Sequence, residues 1–180
     1  TLVGFGATST FVPINLNIGS APATSVQGNT IAGINFSGPL SGTSTTSSFR
    51  GIYVAAGLAE IGNITGNAIG SSSTPGSITV STTSTSAMDV YGIYYFPSST
   101  ALISNNQVGG IAATTSSTGA VDLYGIRAFT TGTVVNTFNN NTVGYAAAPL
   151  TNGGTSTASN TYGIYSQSGA TVASGNVISN

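Results

Sequence analysis

The feature that most constrains this chain is a pair of short motifs that recur together along its length. One is the dipeptide Gly-Ile, and the other is an asparagine followed two positions later by valine or isoleucine. The dipeptide begins at Gly51, Gly92, Gly125 and Gly163, and the asparagines are Asn29, Asn67, Asn106, Asn141 and Asn176. Successive asparagines are 38, 39, 35 and 35 residues apart (67−29, 106−67, 141−106, 176−141). Repeats of this length are typical of a solenoid, in which each unit buries its apolar face against its neighbours.

Within each repeat, the residues favour strands rather than helices. Short runs of β-branched and aromatic residues end at Gly, Pro, Asn or Ser, as in residues 90–95 and 101–111. No segment has an apolar stripe of helical period, and Lys, Glu and Arg, which favour helices, are nearly absent. The sequence therefore predicts an all-β chain that forms one domain over residues 1–180.

The charge content excludes several kinds of partner. Charged residues make up 3% of the 180 residues, against about 25% in typical domains. They are Arg50, Arg127, Glu60, Asp89 and Asp122. Two cations are too few for a nucleic-acid surface, and no apolar run approaches the ~18 residues of a transmembrane helix. We therefore expect no nucleic-acid partner and no membrane insertion, and the net charge of −1 only weakly opposes self-association.

Three segments resemble coils of a known repeat family. They read "YGIYYFPSSTALISNNQVGGI", "YGIYSQSGATVASGNVISN" and "RGIYVAAGLAEIGNITGNAIG". These resemble repeats of the right-handed parallel β-helices of the pectate-lyase-like superfamily. The resemblance implies a right-handed parallel β-helix of about five coils with three short strands in each coil. The family's coil is shorter than these repeats, so we assign the excess to Ser/Thr-rich segments at residues 71–86, 112–119 and 146–159, which form either loops or extra strands.

One apolar position recurs two residues after each repeated asparagine. We place Val3 in the same column, because residues 2–7 echo residues 142–147. The predicted inward column is therefore Val3, Ile31, Ile69, Val108, Val143 and Ile178. A second inward column is predicted at Ile52, Ile93, Ile126 and Ile164.

The asparagines and tyrosines are the most regular polar and aromatic positions. We interpret Asn29, Asn67, Asn106, Asn141 and Asn176 as a structural amide ladder, in which asparagine also tolerates a left-handed turn. Two aromatic columns each contain three tyrosines and one arginine: Tyr91, Tyr124 and Tyr162 with Arg50, and Tyr53, Tyr94 and Tyr165 with Arg127. Ring stacking with cation–π contacts is the favoured interpretation, and binding of sugar rings is the alternative.

Asp89 and Asp122 share a column one coil apart, because each precedes its repeat glycine by three residues. Paired carboxylates of this kind would suit a glycosidase, whereas the structural alternative is a pair of acids balanced by Arg127. The chain has no His, Cys or Lys to act as base or nucleophile. We therefore expect no enzymatic activity, no catalytic residue, no cofactor and no metal site.

These patterns leave three functions open, which we rank in order. The first is an extracellular or cell-surface filament subunit that assembles head to tail as a homo-oligomer through Leu2, Val3, Phe5, Val177 and Ile178. We expect neither end to carry an atypical polar repeat, so each end presents open strand edges. The second is an adhesin or carbohydrate-binding solenoid. The third is ice binding by Ser/Thr-rich faces, although the Ser/Thr spacing is irregular.

Overall fold

The chain folds into twenty short strands that repeat in groups of four. The computed structural model describes residues 1–131 and 133–179, and Gly132 and Asn180 lie outside that range. Coils 1 and 2 contain β1 (Leu2–Val3), β2 (Ile14–Asn17), β3 (Thr24–Val26), β4 (Thr30–Ile31), β5 (Ile34–Gly38), β6 (Phe49–Ala56), β7 (Ala59–Ile61) and β8 (Ala68–Gly70). Coils 3 and 4 contain β9 (Ile78–Thr82), β10 (Met88–Tyr95), β11 (Leu102–Ser104), β12 (Gln107–Gly109), β13 (Ile111–Thr115), β14 (Val121–Phe129), β15 (Val135–Asn139) and β16 (Thr142–Val143). Coil 5 contains β17 (Leu150–Gly153), β18 (Asn160–Gln167), β19 (Ala170–Ser174) and β20 (Val177–Ile178).

Strands at the same place in successive coils pair in parallel and build four five-stranded sheets. Sheet 1 contains β1, β5, β9, β13 and β17, and sheets 2, 3 and 4 begin at β2, β3 and β4 and continue by the same step of four. A 3₁₀ turn over Ser44–Thr46 lies between sheets 1 and 2 in coil 2. The prediction of an all-β parallel solenoid of about five coils is thus confirmed.

The core lies inside the coils and consists of columns of equivalent residues. Strand register places Ile14, Ile52, Ile93, Ile126 and Ile164 in one column and Ile31, Ile69, Val108, Val143 and Ile178 in another. Members from the middle coils, such as Ile93 and Ile126, are fully buried. Each buried side chain therefore packs against the coil before it, the coil after it and the opposite sheets.

The core also explains why glycine precedes isoleucine in the recurring dipeptide. A Cβ atom added to Gly92 would lie 2.5 Å from the carbonyl oxygen of Gly125 and 2.6 Å from Cγ1 of Val108. Gly51 and Gly163 meet Ile69 and Ile178 in the same way. Only glycine allows sheet 2 to approach the Val/Ile column of sheet 4 this closely. This contact links the two recurring motifs of the sequence.

The Ser/Thr-rich segments contain strands as well as turns, and this corrects the expected number of strands per coil. Parts of residues 71–86, 112–119 and 146–159 form β9, β13 and β17 of sheet 1, so each coil has four strands rather than three. In β9, buried Ile78, Val80 and Thr82 alternate with partly exposed Thr79 and Ser81. Because threonine occupies both inward and outward positions, the alternation is weak in the sequence.

The placement of Val3 with the sheet 4 column was wrong. Val3 lies in β1 and pairs with Ser37 in sheet 1. Residues 2–7 and 142–147 are similar in sequence but not equivalent in structure, because β1 belongs to sheet 1 and β16 belongs to sheet 4. The first member of the sheet 4 column is Ile31.

Candidate functional site

The outward face of sheet 2 carries most of the aromatic and charged side chains. Strand register places Arg50, Tyr91, Tyr124 and Tyr162 in one outward column and Tyr53, Tyr94, Arg127 and Tyr165 in the next. We call these eight residues the aromatic face. Although they point away from the core, Tyr91 and Tyr94 are completely buried and Tyr53 and Tyr124 nearly so.

The rings of the aromatic face stack into one continuous row along the solenoid axis. Ring centroids are 5.4 Å apart for Tyr53 and Tyr94, 4.5 Å for Tyr94 and Tyr91, 4.8 Å for Tyr91 and Tyr124, and 4.7 Å for Tyr124 and Tyr162. In all four pairs the two ring planes lie within 27° of parallel, a geometry that favours offset stacking. Neighbouring rings therefore cover both faces of Tyr94, Tyr91 and Tyr124, which a bound sugar would need.

Arg127 lies at the centre of the aromatic face and is well supplied with partners. Its guanidinium carbon lies 5.1 to 5.7 Å from five ring centroids, those of Tyr91, Tyr94, Tyr124, Phe129 and Tyr165. Nη1 donates to the Tyr91 hydroxyl and lies 3.9 Å from Oδ2 of Asp89, and Nη2 donates to Oε1 of Gln167. The cation is therefore neutralised and fixed by the protein itself.

The two aspartates are one coil apart in the same column, as their spacing predicts. Asp89 is buried and accepts hydrogen bonds from the Tyr91 hydroxyl and the Ser44 N–H. Burial, the largest influence, raises the pKa of Asp89, and these hydrogen bonds partly offset it. Asp122 accepts from the backbone and side-chain nitrogens of Asn160 at 2.9 and 3.1 Å. Both carboxylates are therefore engaged in contacts that hold the coils and turns together.

The repeated asparagines lie at the corner between sheets 3 and 4 and form a ladder. The backbone and side-chain nitrogens of Asn67 both donate to Oδ1 of Asn106, at 3.1 and 2.8 Å. The same pair of bonds joins Asn29 to Asn67, Asn106 to Asn141 and Asn141 to Asn176. The second side-chain hydrogen of Asn106 is donated back to the carbonyl oxygen of Ile61. Each interior asparagine thus connects three successive coils.

The left-handed turn residue is not the ladder asparagine itself, which corrects our expectation. Positive φ angles occur one position earlier, at Gly28 (64°), Asn105 (58°), Asn140 (54°) and Gly175 (63°). Glycine and asparagine are the residues that adopt this conformation most readily. The ladder asparagine is therefore selected for its amide contacts, and the preceding residue for the turn.

The predicted assembly residues lie in the first and last coils and are exposed. Leu2, Val3 and Phe5 are exposed in coil 1, and Val177 and Ile178 in coil 5. Ile178 belongs to an inward column, yet 60% of its surface is accessible, because no described coil follows it. Val177 lies in the outward column of Thr142 and Gln107.

Coil 5 differs from the other coils in the residues that it points inward. Asn152, Thr161, Ser166 and Ala173 occupy the columns that hold Ala113, Leu123, Ala128 and Phe138 in coil 4. Both side-chain hydrogens of Asn152 are donated to carbonyl oxygens, those of Val121 and Asn160. The expectation that neither end has an atypical polar repeat was therefore wrong for coil 5.

Sequence reasoning also missed the arrangement of hydroxyl groups on sheet 1. Thr79 aligns with Ala112 and Thr151, and Ser81 aligns with Thr114 and Gly153. These outward columns are in register, but Ala112 and Gly153 interrupt them. The alternation of apolar and polar residues in β9 could have revealed this face. Threonine obscures that alternation because it occupies an outward position at residue 79 and an inward position at residue 82.

Across residues 1–131 and 133–179, no group of three or more His, Cys, Asp or Glu side chains comes together. The part of the chain that the structure describes contains no helix with the length and apolar character of a membrane span.

Comparison with protein-family models, with curated proteins and with solved structures finds no match.

Proposed function

We propose that this protein is a non-catalytic structural solenoid, of the right-handed parallel β-helix type, that assembles end to end with further copies of itself. The observation that carries the proposal is that the first and last described coils have complementary edges. The outer edges of β1–β4 and of β17–β20 have no paired strand among the described residues. Parallel strands of a second copy would continue all four sheets and the core across the junction.

The asparagine ladder supports this geometry because its two ends are complementary. Oδ1 of Asn29 accepts no hydrogen bond from the described residues, whereas Oδ1 of each later ladder asparagine accepts two. At the other end, Asn176 uses one side-chain hydrogen on the carbonyl oxygen of Phe138 and leaves its backbone N–H without a described acceptor. Asn176 of one copy is therefore suited to donate to Asn29 of the next.

The sizes of the inward residues at the two ends support the same contact. Coil 1 presents large apolar side chains in four columns, at Leu2, Phe11, Leu16 and Val26. In the same columns coil 5 presents Asn152, Thr161, Ser166 and Ala173. When coil 1 of one copy stacks on coil 5 of another, each large side chain meets a smaller one, which favours close packing. In two further columns, Ile14 and Ile31 meet Ile164 and Ile178.

The hydrogen bonds of the two aspartates support the proposal that the protein is not an enzyme. Asp89 and Asp122 are both occupied by hydrogen bonds within the chain. The sequence contains no His or Cys, and its charged residues are few. The proposal includes an extracellular or cell-surface location, which the resemblance to surface and fibre proteins of the parallel β-helix type implies.

Electron microscopy of the purified chain with one end altered tests the proposal. Ile178→Lys places a charge where the junction would bury it unpaired, while an isolated chain leaves this position open to water. We expect the unaltered chain to form filaments and Ile178→Lys to remain as single particles. The matched control is Ile64→Lys, because Ile64 is 83% exposed on the Gly62–Gly66 turn, away from both ends. Single particles for the unaltered chain, or filaments of Ile178→Lys, would contradict end-to-end assembly.

A further inference from the structure

A crevice beside the aromatic face contains a buried cation with no matching anion. The crevice has a volume of about 510 Å³, and its lining includes Thr8, Thr10, Ser41, Thr45, Thr46 and Arg50. This volume falls within the roughly 300–1,000 Å³ that is usual for small-molecule sites. Five of its lining residues carry hydroxyl groups, of which those of Ser41 and Thr46 donate to the carbonyl oxygens of Ala7 and Thr43. Arg50 is its charged residue.

Arg50 is only 6% exposed, and much of its hydrogen-bonding capacity is unused. Nη1 donates to the carbonyl oxygen of Thr45, while Nε has no hydrogen-bond partner. Throughout the described residues, no carboxylate lies within 4.0 Å of it; the ion pair that is present joins Arg127 to Asp89. A buried guanidinium without an anion is costly, so an anionic ligand would gain much of its binding energy here.

The contrast with Arg127 shows that the missing anion is particular to Arg50. Nε of Arg127 also lacks a hydrogen-bond partner, but the Arg127 guanidinium has the carboxylate of Asp89 beside it and hydrogen bonds to Tyr91 and Gln167. Arg50 instead lies over the ring of Tyr53, with 4.5 Å from its guanidinium carbon to the ring centroid. Burial, the largest influence, lowers the pKa of Arg50.

The crevice wall is held in place by contacts outside the crevice. The Ser44–Thr46 turn is fixed because the Ser44 N–H donates to Oδ2 of Asp89 at 2.9 Å. The Ser44 hydroxyl lies 2.9 Å from the hydroxyl of Tyr94. The chain entering the turn is fixed as well, since the N–H of Asp89 donates to the carbonyl oxygen of Gly42. The site is therefore built before any ligand arrives, which reduces the entropy lost on binding.

We infer that this crevice binds an acidic sugar, with the carboxylate on Arg50 and the sugar hydroxyls on the threonine and serine side chains. A planar guanidinium matches the two oxygens of a carboxylate, and hydroxyl side chains both donate to and accept from sugar hydroxyls. The rings of the aromatic face take no part, because neighbouring rings cover them. The inference does not rest on end-to-end assembly, since coils 1 and 2 of a single copy supply the whole lining of the crevice.

Calorimetric titration with glucuronate tests this site, with glucose and acetate as matched probes. We expect glucuronate to bind at least about tenfold more tightly than either probe, because each lacks one of the two recognised groups. Arg50→Gln should reduce glucuronate binding to the level of glucose without changing the circular dichroism spectrum. Nuclear magnetic resonance of the unaltered protein gives a second readout, in which glucuronate shifts the signals of Thr45 and Tyr53.

Four results would overturn the inference. They are the absence of glucuronate binding, equal binding of glucose, equal binding of acetate, and full binding by Arg50→Gln. If Arg50→Gln does not fold, the resonance shifts at Thr45 and Tyr53 decide the matter, because their absence in the unaltered protein excludes this crevice.

Discussion

Coils 4 and 5 have the same four strands, yet their inward residues differ in an instructive way. Large aliphatic residues are kept in both coils in three columns, which contain Ile126 and Ile164, Val143 and Ile178, and Ile111 and Leu150. Four other columns change from Ala113, Leu123, Ala128 and Phe138 in coil 4 to Asn152, Thr161, Ser166 and Ala173 in coil 5. The fully buried coil is thus the more apolar one, and only part of the core pattern extends into the exposed coil.

Two of the three retained columns take part in the contact between the Gly-Ile dipeptide and sheet 4. Gly163 approaches Ile178 in coil 5 as Gly125 approaches Val143 in coil 4. The Gly-Ile contact with sheet 4 therefore sets the shape of coils 2 to 5, although coil 1 has Pro13 in place of the glycine. The other columns become smaller or polar in coil 5. In the proposed assembly they meet the large apolar residues that coil 1 presents in the same columns. The following predictions compare equivalent positions in middle coils and in coil 5.

The largest difference is expected in the aromatic row. Tyr91 is completely buried between rings and hydrogen-bonded to Asp89, so Tyr91→Ala should lower the free energy of unfolding by about 3–5 kcal/mol. Tyr162 is half-buried at the end of the row, so Tyr162→Ala should cost less than about 2 kcal/mol. Urea unfolding of both variants measures these values. Equal losses would show that the row is not stabilised by stacking on both sides.

The isoleucine column gives a second matched pair. Ile126→Ala leaves a cavity between two coils and should cost about 2–5 kcal/mol. Ile164→Ala, in the same column, should cost clearly less in dilute solution, where its outer side lies open. At high protein concentration the cost of Ile164→Ala should rise, because assembly would bury this residue. A cost independent of concentration would argue against a covered coil 5.

The amide ladder gives a smaller contrast. Asn106→Ala removes the acceptor of two Asn67 nitrogens and leaves buried donors unpaired, which should cost about 1–3 kcal/mol. Asn176→Ala removes the acceptor of Asn141 at a position that water reaches, so we expect less than about 1 kcal/mol. Thermal unfolding of the two variants checks the order. If Asn176→Ala lowered stability more than Asn106→Ala, the idea that burial makes the ladder hydrogen bonds stabilising would be contradicted.

The smallest effect concerns the column of Asp89, Asp122 and Asn160, which is acidic in the middle coils and neutral in coil 5. Because burial raises the pKa of Asp89, the folded protein holds this proton more tightly than the unfolded chain. Its contribution to stability is present below the ordinary pKa of 3.8 and is lost as the pH rises through the folded value. The unaltered protein should therefore lose stability relative to Asp89→Asn as the pH rises from 3 to 7, measured by urea unfolding. If the unaltered protein instead gained stability relative to Asp89→Asn over this pH range, the pKa of Asp89 would be lowered in the folded protein, not raised.

Much of the fold could be predicted from the sequence because its strongest signals are geometric. The Gly-Ile motif and the asparagines recur where glycine allows close approach and where an amide joins neighbouring coils, so both columns of Ile and Val residues were predicted correctly except for Val3. Sheet 1 was missed because threonine and serine fill inward as well as outward positions in its strands. The Arg50 crevice was missed because it depends on a missing contact, and a sequence gives no sign of which cation lacks an anion.

Sedimentation velocity of the unaltered chain over a range of concentrations tests the central claim, end-to-end assembly, most directly. We predict species larger than the 17.7 kDa chain that grow with concentration, because a head-to-tail contact does not close on itself. Growth should be nearly the same in low and high salt, since few charges meet at the junction. A single 17.7 kDa species at the highest concentration in both salts would contradict the account.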